Sequence, residues 1–473
     1  MFAWVIMLFF ASPVSAINLL VSNNNDSGAG SLRQAIQDND GSGPGDTIIF
    51  SNTVTGTITL TTSNLLITTN LTIVGPGPGV LAISGNGARR VLHIANGANV
   101  TISGLTIRQG TVSGSFPGNV GGAIWNERST LTLRNCVIRD NKGGGGEGGA
   151  IFNDGSFGTA YCLIEQSTIS NNSTMSHGGA IYNYCYQGTG TVFVVSSTIS
   201  GNSAFGSGSV GGGVFNDGTS GNAAAVFVSS TISGNTAGQS GGGIYNGTGS
   251  GISYVALDYS TVSSNSASFG GGILHNGVGG SATLALRSTL LKTGTSGPTI
   301  ENQLGTVVDY GFNLSSDNGG GVLTQVTDYR NVNPLLGPLA DNGGPTFTHA
   351  LLPGSPAIDK GYNGAFGSEL TPDQRGELRP FNFTSITNTP GGNGTDIGSF
   401  EVGRPKLDIQ KAGSSVVLSW LAYSSEFALQ SSTNITSSNS WITAGGSAAI
   451  VGNQYQQTNG PISGNKFFRL RGN

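Results

Sequence analysis

Ser197–Asn216 reads STISGNSAFGSGSVGGGVFN, and near copies of both its ends recur along the chain. The front end returns as STISNN at Ser167, STISGN at Ser230 and STVSSN at Ser260. The back end returns as GGAIWN at Gly121, GGAIFN at Gly148, GGAIYN at Gly178 and GGGIYN at Gly241, with a degenerate GGILHN at Gly271. The glycine-rich copies are spaced by 27, 30, 33, 30 and 30 residues, and the S-T-I-S copies by 30, 33 and 30. Both halves lengthen at the same step, so they form one unit with a variable loop. A period of roughly 20–50 residues signals a solenoid, a propeller or an array.

Within a unit the text is strand-like: a GGxI-aromatic-N segment and a longer apolar run such as Thr191–Ser200 (TVFVVSSTIS). No amphipathic stretch of helix length lies between them, which removes βαβ and leucine-rich readings, and the unit is too short for a four-stranded propeller blade. The predicted fold class is therefore all-β, a right-handed parallel β-helix of the pectin-lyase-like kind. Its coils stack at the ~4.8 Å strand spacing, so equivalent residues align in columns. One column is Asn126, Asn153, Asn183, Asn216, Asn246 and Asn276. Asn tolerates a left-handed corner, and stacked amides bond along a ladder. The Ile/Val column ahead of it is expected to face inward, and a motif present in every coil points to stacking, since an active site is needed once.

Shorter coils with the same texture fill Asp46–Arg108. Ahead of them SLRQAIQ (Ser31–Gln37) has capping-box spacing and one apolar face, which predicts a helix covering the open first coil. Residues 1–16, MFAWVIMLFFASPVSA, carry an apolar run ending in a small-x-small pattern, as in a secretory signal peptide, so the protein is expected to be exported to the cell surface or medium. No apolar run reaches the ~20 residues of a membrane-spanning helix. The 79 glycines, 9% charged residues and net charge of −4, with no basic block, argue against nucleic acid and anionic lipid as partners. Three cysteines, Cys136, Cys162 and Cys185, fit neither a disulfide framework nor a zinc site and read as buried thiols. The four histidines sit in unrelated contexts, so no metal cluster or other cofactor is expected, and NNND (Asn23–Asp26) reads as a polar turn, with contact to calcium as the alternative.

The paired GGAI and S-T-I-S-G-N repeats resemble those of chlamydial-type polymorphic outer membrane proteins and related bacterial β-helix surface proteins. Those proteins end in a translocating barrel. The roughly 70 residues after Arg404 are too few for eight strands of ~10 residues plus turns, so self-transport is not expected. Asn333–Glu401, with NPLLGPLADNGGPTFTHALLPGSPAIDKG, DQRGELRP and DIGSFE, resembles the choice-of-anchor Q domain of secreted bacterial β-helix proteins. The matching positions include Gly343, Gly344, Pro345, His349, Pro356, Asp359, Gly361, Asp373, Arg375, Gly376, Arg379, Pro380, Asp396, Gly398 and Glu401. The expected domains are the β-helix with its N-terminal cap (17–332), this region (333–403) and a small β-sandwich (404–473) similar to fibronectin-III-like modules. Asp359, Asp373, Arg375, Arg379, Asp396 and Glu401 concentrate charge that the repeats lack. They are expected to form an ion-paired cap closing the last coil. Trp420, Trp441 and Phe468 are expected in the sandwich core.

Lyase chemistry needs cations to neutralise a uronate, and no Lys or Arg occurs from Gly143 to Leu286. A glycoside hydrolase needs two carboxylates. The position after the Asn column reads Glu127, Asp154, Tyr184, Asp217, Gly247 and Gly277, placing Glu127 and Asp154 ~5 Å apart and Asp154 and Asp217 ~10 Å apart if the column stacks. NDG and NG are also turn text, which gives the same residues a structural reading. Two functions from different classes follow. One is an adhesive or interaction surface recognising a polysaccharide or another cell-surface component; the other is a glycoside hydrolase using Glu127, Asp154 and Asp217. Thr168/Ser170, Thr198/Ser200, Thr231/Ser233 and Thr261/Ser263 are expected as outward hydroxyl rows, a further surface for ice or a crystalline glycan.

Overall fold

Each repeat contributes three short strands, and each strand pairs in parallel with its equivalent one coil away. In one coil these are Ile151–Asp154, Thr159–Glu165 and Thr168–Ser170. They add to a nine-stranded sheet C, an eleven-stranded sheet A and a ten-stranded sheet B, all in order along the chain. The result, in a computed structural model describing residues 16–39, 45–364, 372–436, 438–460, 462 and 464–472, is a parallel β-solenoid of about 9 turns. The leader assigned to residues 1–16 lies outside the described residues except for Ala16.

Register follows the repeat. Ile151 pairs with Ile181, Ile181 with Val214 and Val214 with Ile244, and all four side chains are fully buried. Ile169, Ile199, Ile232 and Val262 form the matching inward column of sheet B. Period-two alternation puts Asn126, Asn153, Asn183, Asn216 and Asn246 inside as well, fully buried and inside extended strands. Their left-handed corner role is thus corrected. One left-handed corner that recurs in every coil falls between sheets A and B, at Asn135, Gln166, Ser196, Ser229, Tyr259 and Ser288, where φ is 44° to 50°.

The Asn amides bond along the stack, each Nδ2 donating to the next Oδ1 at 2.7, 2.8, 2.8 and 2.9 Å. Asn276 does not join them. In the degenerate copy the Asn stands three residues after the inward Ile273 instead of two, so Asn246 faces His275 and Asn276 faces Gly247. His275 completes the ladder by accepting from Asn246 at Nδ1 (3.1 Å) and donating from Nε2 to the Thr306 carbonyl (3.1 Å). Burial holds its pKa below the ordinary value, which suits this neutral relay. Two further ladders run inside. Asn141, Asn172, Asn202, Asn235 and Asn265 are linked at 2.9 Å per step, and Ser167, Ser197, Ser230 and Ser260 accept backbone N–H groups at 3.0–3.3 Å. Their buried polar groups thereby find partners that water cannot supply.

The helix α1 spans Leu32–Asp38 behind Ser31, whose hydroxyl accepts from Gln34 N at 3.2 Å. The Gln34 side chain turns to Asp38 instead of returning to the cap, so half of the capping box forms. Leu32, Ala35 and Ile36 enter the solenoid core and seal its first coil. Asp26 fastens this segment: it pairs with Arg33 at 2.6 Å and accepts from the backbone and hydroxyls of Thr61 and Thr62. The far end is plugged by Leu323, fully buried in the same core beyond the short 3-10 turn Gly319–Gly321.

That plug corrects the expected role of residues 333–403. Their described part, 333–364 and 372–403, lies along the flank of the solenoid, over sheet B. The reason is visible in one outward column of sheet B, which runs Thr198, Thr231, Thr261, Leu290, Leu314. Its last two members are apolar and fully buried in a separate core with Leu351, Ala357, Ile358, Phe383 and Ile397. The chain folds back to cover them. Beyond the cover, two small antiparallel sheets pack Leu418, Trp420 and Leu429 together. Phe468 packs on this core, whereas Trp441 is only half-buried and stacks with Arg469, its guanidinium 4.3 Å from the ring centre.

Candidate functional site

Sheet C alternates in and out, so the residue before each ladder Asn faces outward. Trp125, Phe152, Tyr182, Phe215 and Tyr245 are in register and form an aromatic file down the outside of the solenoid, continued at its start by His93. His93 stacks on Trp125 at 4.1 Å, Tyr182 on Phe215 at 4.8 Å, and Phe152 meets Tyr182 edge-on at 5.4 Å. Loops from successive coils lean over the file, and Val120 and Val210 bury themselves against it. Arg90 ties the first of these loops down. Its guanidinium lies 5.0 Å from the Trp125 ring centre and donates to the carbonyls of Pro117, Val120 and Gly121. Gly146 lets the next loop press on the first, because a Cβ there would lie 2.1 Å from the Asn119 carbonyl oxygen.

Where these loops part, a cleft of about 350 Å³ opens on the file, lined by Phe116, Asn119, Glu147, Phe152, Tyr182 and Tyr184. Phe116 stands out from the surface at 61% exposure, and its ring meets Phe152 edge-on at 6.5 Å. Tyr184 contacts both Phe152 and Tyr182. The cleft thus has apolar ring walls, one carboxylate and one amide, the composition typical of small-ligand sites.

The predicted acidic column stacks beside the file on the same outer face. Glu127 pairs with Asp154, Asp154 with Tyr184, Tyr184 with Asp217 and Asp217 with Gly247; the final place belongs to Asn276, not Gly277. Each carboxylate already has work. Glu127 accepts from His93 Nε2 at 2.9 Å and pairs with Arg128. Asp217 accepts from the Tyr182 hydroxyl at 2.7 Å and from the backbone and hydroxyl of Thr219 at 2.9 and 2.6 Å. Asp154 accepts from Ser156 N at 3.0 Å, closing a turn. Asp154 and Asp217 are 6% and 5% exposed, so neither stands free in a groove beside a substrate.

The charged group in the cover behaves differently from a network of ion pairs. Arg375 meets Asp373 at 2.7 Å and Arg379 lies 3.9 Å from Glu401, but Asp359 and Asp396 form no ion pair among the described residues. Instead the carboxylates gather backbone N–H groups: Asp359 from Phe383, Asp396 from Asp359 and Val402, Glu401 from Phe381 and Asp396, Asp373 from Arg375, Glu377 and Glu401. Burial pushes Asp359 and Glu401 up to about 7, and burial with the neighbouring Glu401 raises Asp396 as well. These groups staple loops together.

The hydroxyl rows are mostly covered. Thr198 donates to the Phe347 carbonyl, Thr231 to Gln374 Oε1, and Ser233 meets His349 Nε2, all within 2.8 Å. The three thiols are buried and unpaired, and burial raises Cys136 to about 11 and Cys162 to about 12. Among the described residues no cluster of three or more His, Cys, Asp or Glu could hold a metal, and no helix is long and apolar enough to cross a membrane. The aromatic file was visible in the repeat text as the aromatic before Asn. The cleft was not, because Phe116, Asn119 and Glu147 come from loops outside the repeat. No protein-family model matches the chain, and no curated protein matches it.

Proposed function

We propose that this protein is an exported, surface-associated or secreted β-solenoid that recognises glycans through the aromatic cleft on sheet C. The observation that carries this reading is the file of outward rings opening into a cleft with polar groups at its rim. Sugar rings offer apolar C–H faces to aromatic planes and hydroxyls to side-chain amides and carboxylates, and exposed aromatics suit such contacts. The apolar residues 1–16 support export. The resemblance of residues 333–401 to the choice-of-anchor Q region supports placement among secreted bacterial β-helix proteins.

Hydrolysis is the weaker alternative. An acid and a base must both reach the scissile bond, and Glu127, Asp154 and Asp217 are engaged as described. The test is affinity electrophoresis of the protein through neutral and acidic polysaccharides, with new reducing ends measured in parallel. Retardation without cleavage is expected, weakened about tenfold in Phe116→Ala or Tyr184→Ala by loss of ring contacts. Reducing ends that disappear in a folded Asp154→Asn variant would replace binding by hydrolysis. The absence of both retardation and cleavage would overturn the glycan reading.

A further inference from the structure

Three carboxylates surround the rings of the cleft without a cation among them. Glu147 lines it and, among the described residues, accepts only a hydroxyl, from Ser176 at 3.3 Å. Asp154 and Asp217 flank Tyr184 in register on the two neighbouring strands. After burial, the charges of Asp217, Asp154 and Glu147 are what push the Tyr184 phenol up, which places all three within electrostatic reach of it. No ion pair among the described residues involves Glu147, Asp154 or Asp217. His177, the nearby imidazole, accepts from Val210 N at Nδ1 and is held toward its neutral form by burial. The chain from Gly143 to Leu286 supplies no Lys or Arg.

The site therefore combines aromatic surface and net negative charge. Aromatic faces and carboxylates together favour a cation, and carboxylates bind most strongly one that carries N–H donors. A uronate would be repelled, and an N-acetylated sugar would leave the charge unanswered.

We infer that the cleft binds a protonated amino sugar, its ring packed on Phe116, Phe152 and Tyr184 and its ammonium held by Glu147. This rests on the glycan reading above and narrows it to one class of sugar.

The test is calorimetric titration of the full chain with three tetramers: β-1,4-linked glucosamine, its N-acetylated form and galacturonate. The glucosamine tetramer is expected to bind at least about tenfold tighter than the acetylated one, the scale of one partly desolvated charge contact. Glu147→Gln should bring the two within about twofold of each other. Glu165→Gln, a carboxylate on sheet A paired with Arg134, serves as the control and should change neither. Circular dichroism checks that each variant keeps its fold. Equal or tighter binding of the acetylated tetramer, or a preference surviving Glu147→Gln, overturns the inference. If none of the tetramers binds while another polysaccharide retards the protein, the inference fails and the glycan reading stands. If no glycan binds at all, both fall.

Discussion

At the scale of single residues, Asn serves two neighbours at once. Asn183 takes the Asn153 amide on its oxygen and gives its own amide to Asn216 and to the carbonyls of Gly190 and Ala224. Removing it strands groups on both sides in a site that water does not reach. Asn126 stands at the start of the same ladder, and its oxygen already lacks a donor. Asn183→Ala is therefore expected to destabilise the solenoid by about 2–4 kcal/mol, two stranded groups at about 1–3 kcal/mol each less the second bond Asn153 retains, and Asn126→Ala by clearly less. Chemical unfolding midpoints of the two variants measure the difference; equal midpoints would mean that the ladder adds nothing beyond filled volume. The repeat text exposed this column, and it equally contained the second one, as the final Asn of each S-T-I-S-x-N. The misplaced member, Asn276, shows what periodicity alone misses: it stands three residues after the inward Ile273, where Asn246 stands two after Ile244, so it falls on the opposite face, and only pairing register reveals it.

At the scale of elements, the flank cover and sheet B are joined by hydrogen bonds that a strand pattern cannot foresee. Gln374 is fully buried between them, donating to the hydroxyls of Thr198 and Thr346 at 2.8 Å and accepting from Thr231 at 2.6 Å. Gln374→Ala should raise the opening of residues 372–402 by some thirtyfold, about 2 kcal/mol, while the coils beneath keep their protection. Hydrogen exchange followed by peptide mass reads both regions in one experiment. Unchanged exchange in 372–402 would show that the apolar contacts of Leu290 and Leu314 suffice. The expected hydroxyl surface was a sound inference from alternation, since those side chains do point outward. Their covering depends on a segment more than a hundred residues away in the chain, and the one local hint was the change from Thr to Leu in the column.

At the scale of the whole molecule, the two β units respond differently to pH. The solenoid's inner ladders are neutral amides and hydroxyls, whereas the cover holds Asp359 and Glu401 at about 7 against values near 4 when unfolded. Between these limits the folded cover binds more protons than the unfolded chain, so its stability falls as pH rises. The contribution is complete below about pH 4 and is lost as pH passes through about 7. Calorimetric melting of the protein from pH 5 to 8.5 should show the cover's transition moving to lower temperature with rising pH. Asp359→Asn, which replaces the acid with an amide that cannot ionise, should flatten that dependence. A transition that instead rises with pH would mean that these carboxylates are ionised and paired in the folded state.

The sequence by itself determined the solenoid, because a repeat of about 30 residues with inward β-branched columns permits little else once helices and propeller blades are removed. It also determined the helix over the first coil, through Ser31 and a single apolar face. Tertiary structure alone decided where residues 333–403 lie, which carboxylates are already occupied, and that loops from neighbouring coils meet over the aromatic file. Stacking is a nearest-neighbour property and can be read from periodic text. The cleft and the cover join residues from non-repeating segments, and their partners are set by packing in three dimensions.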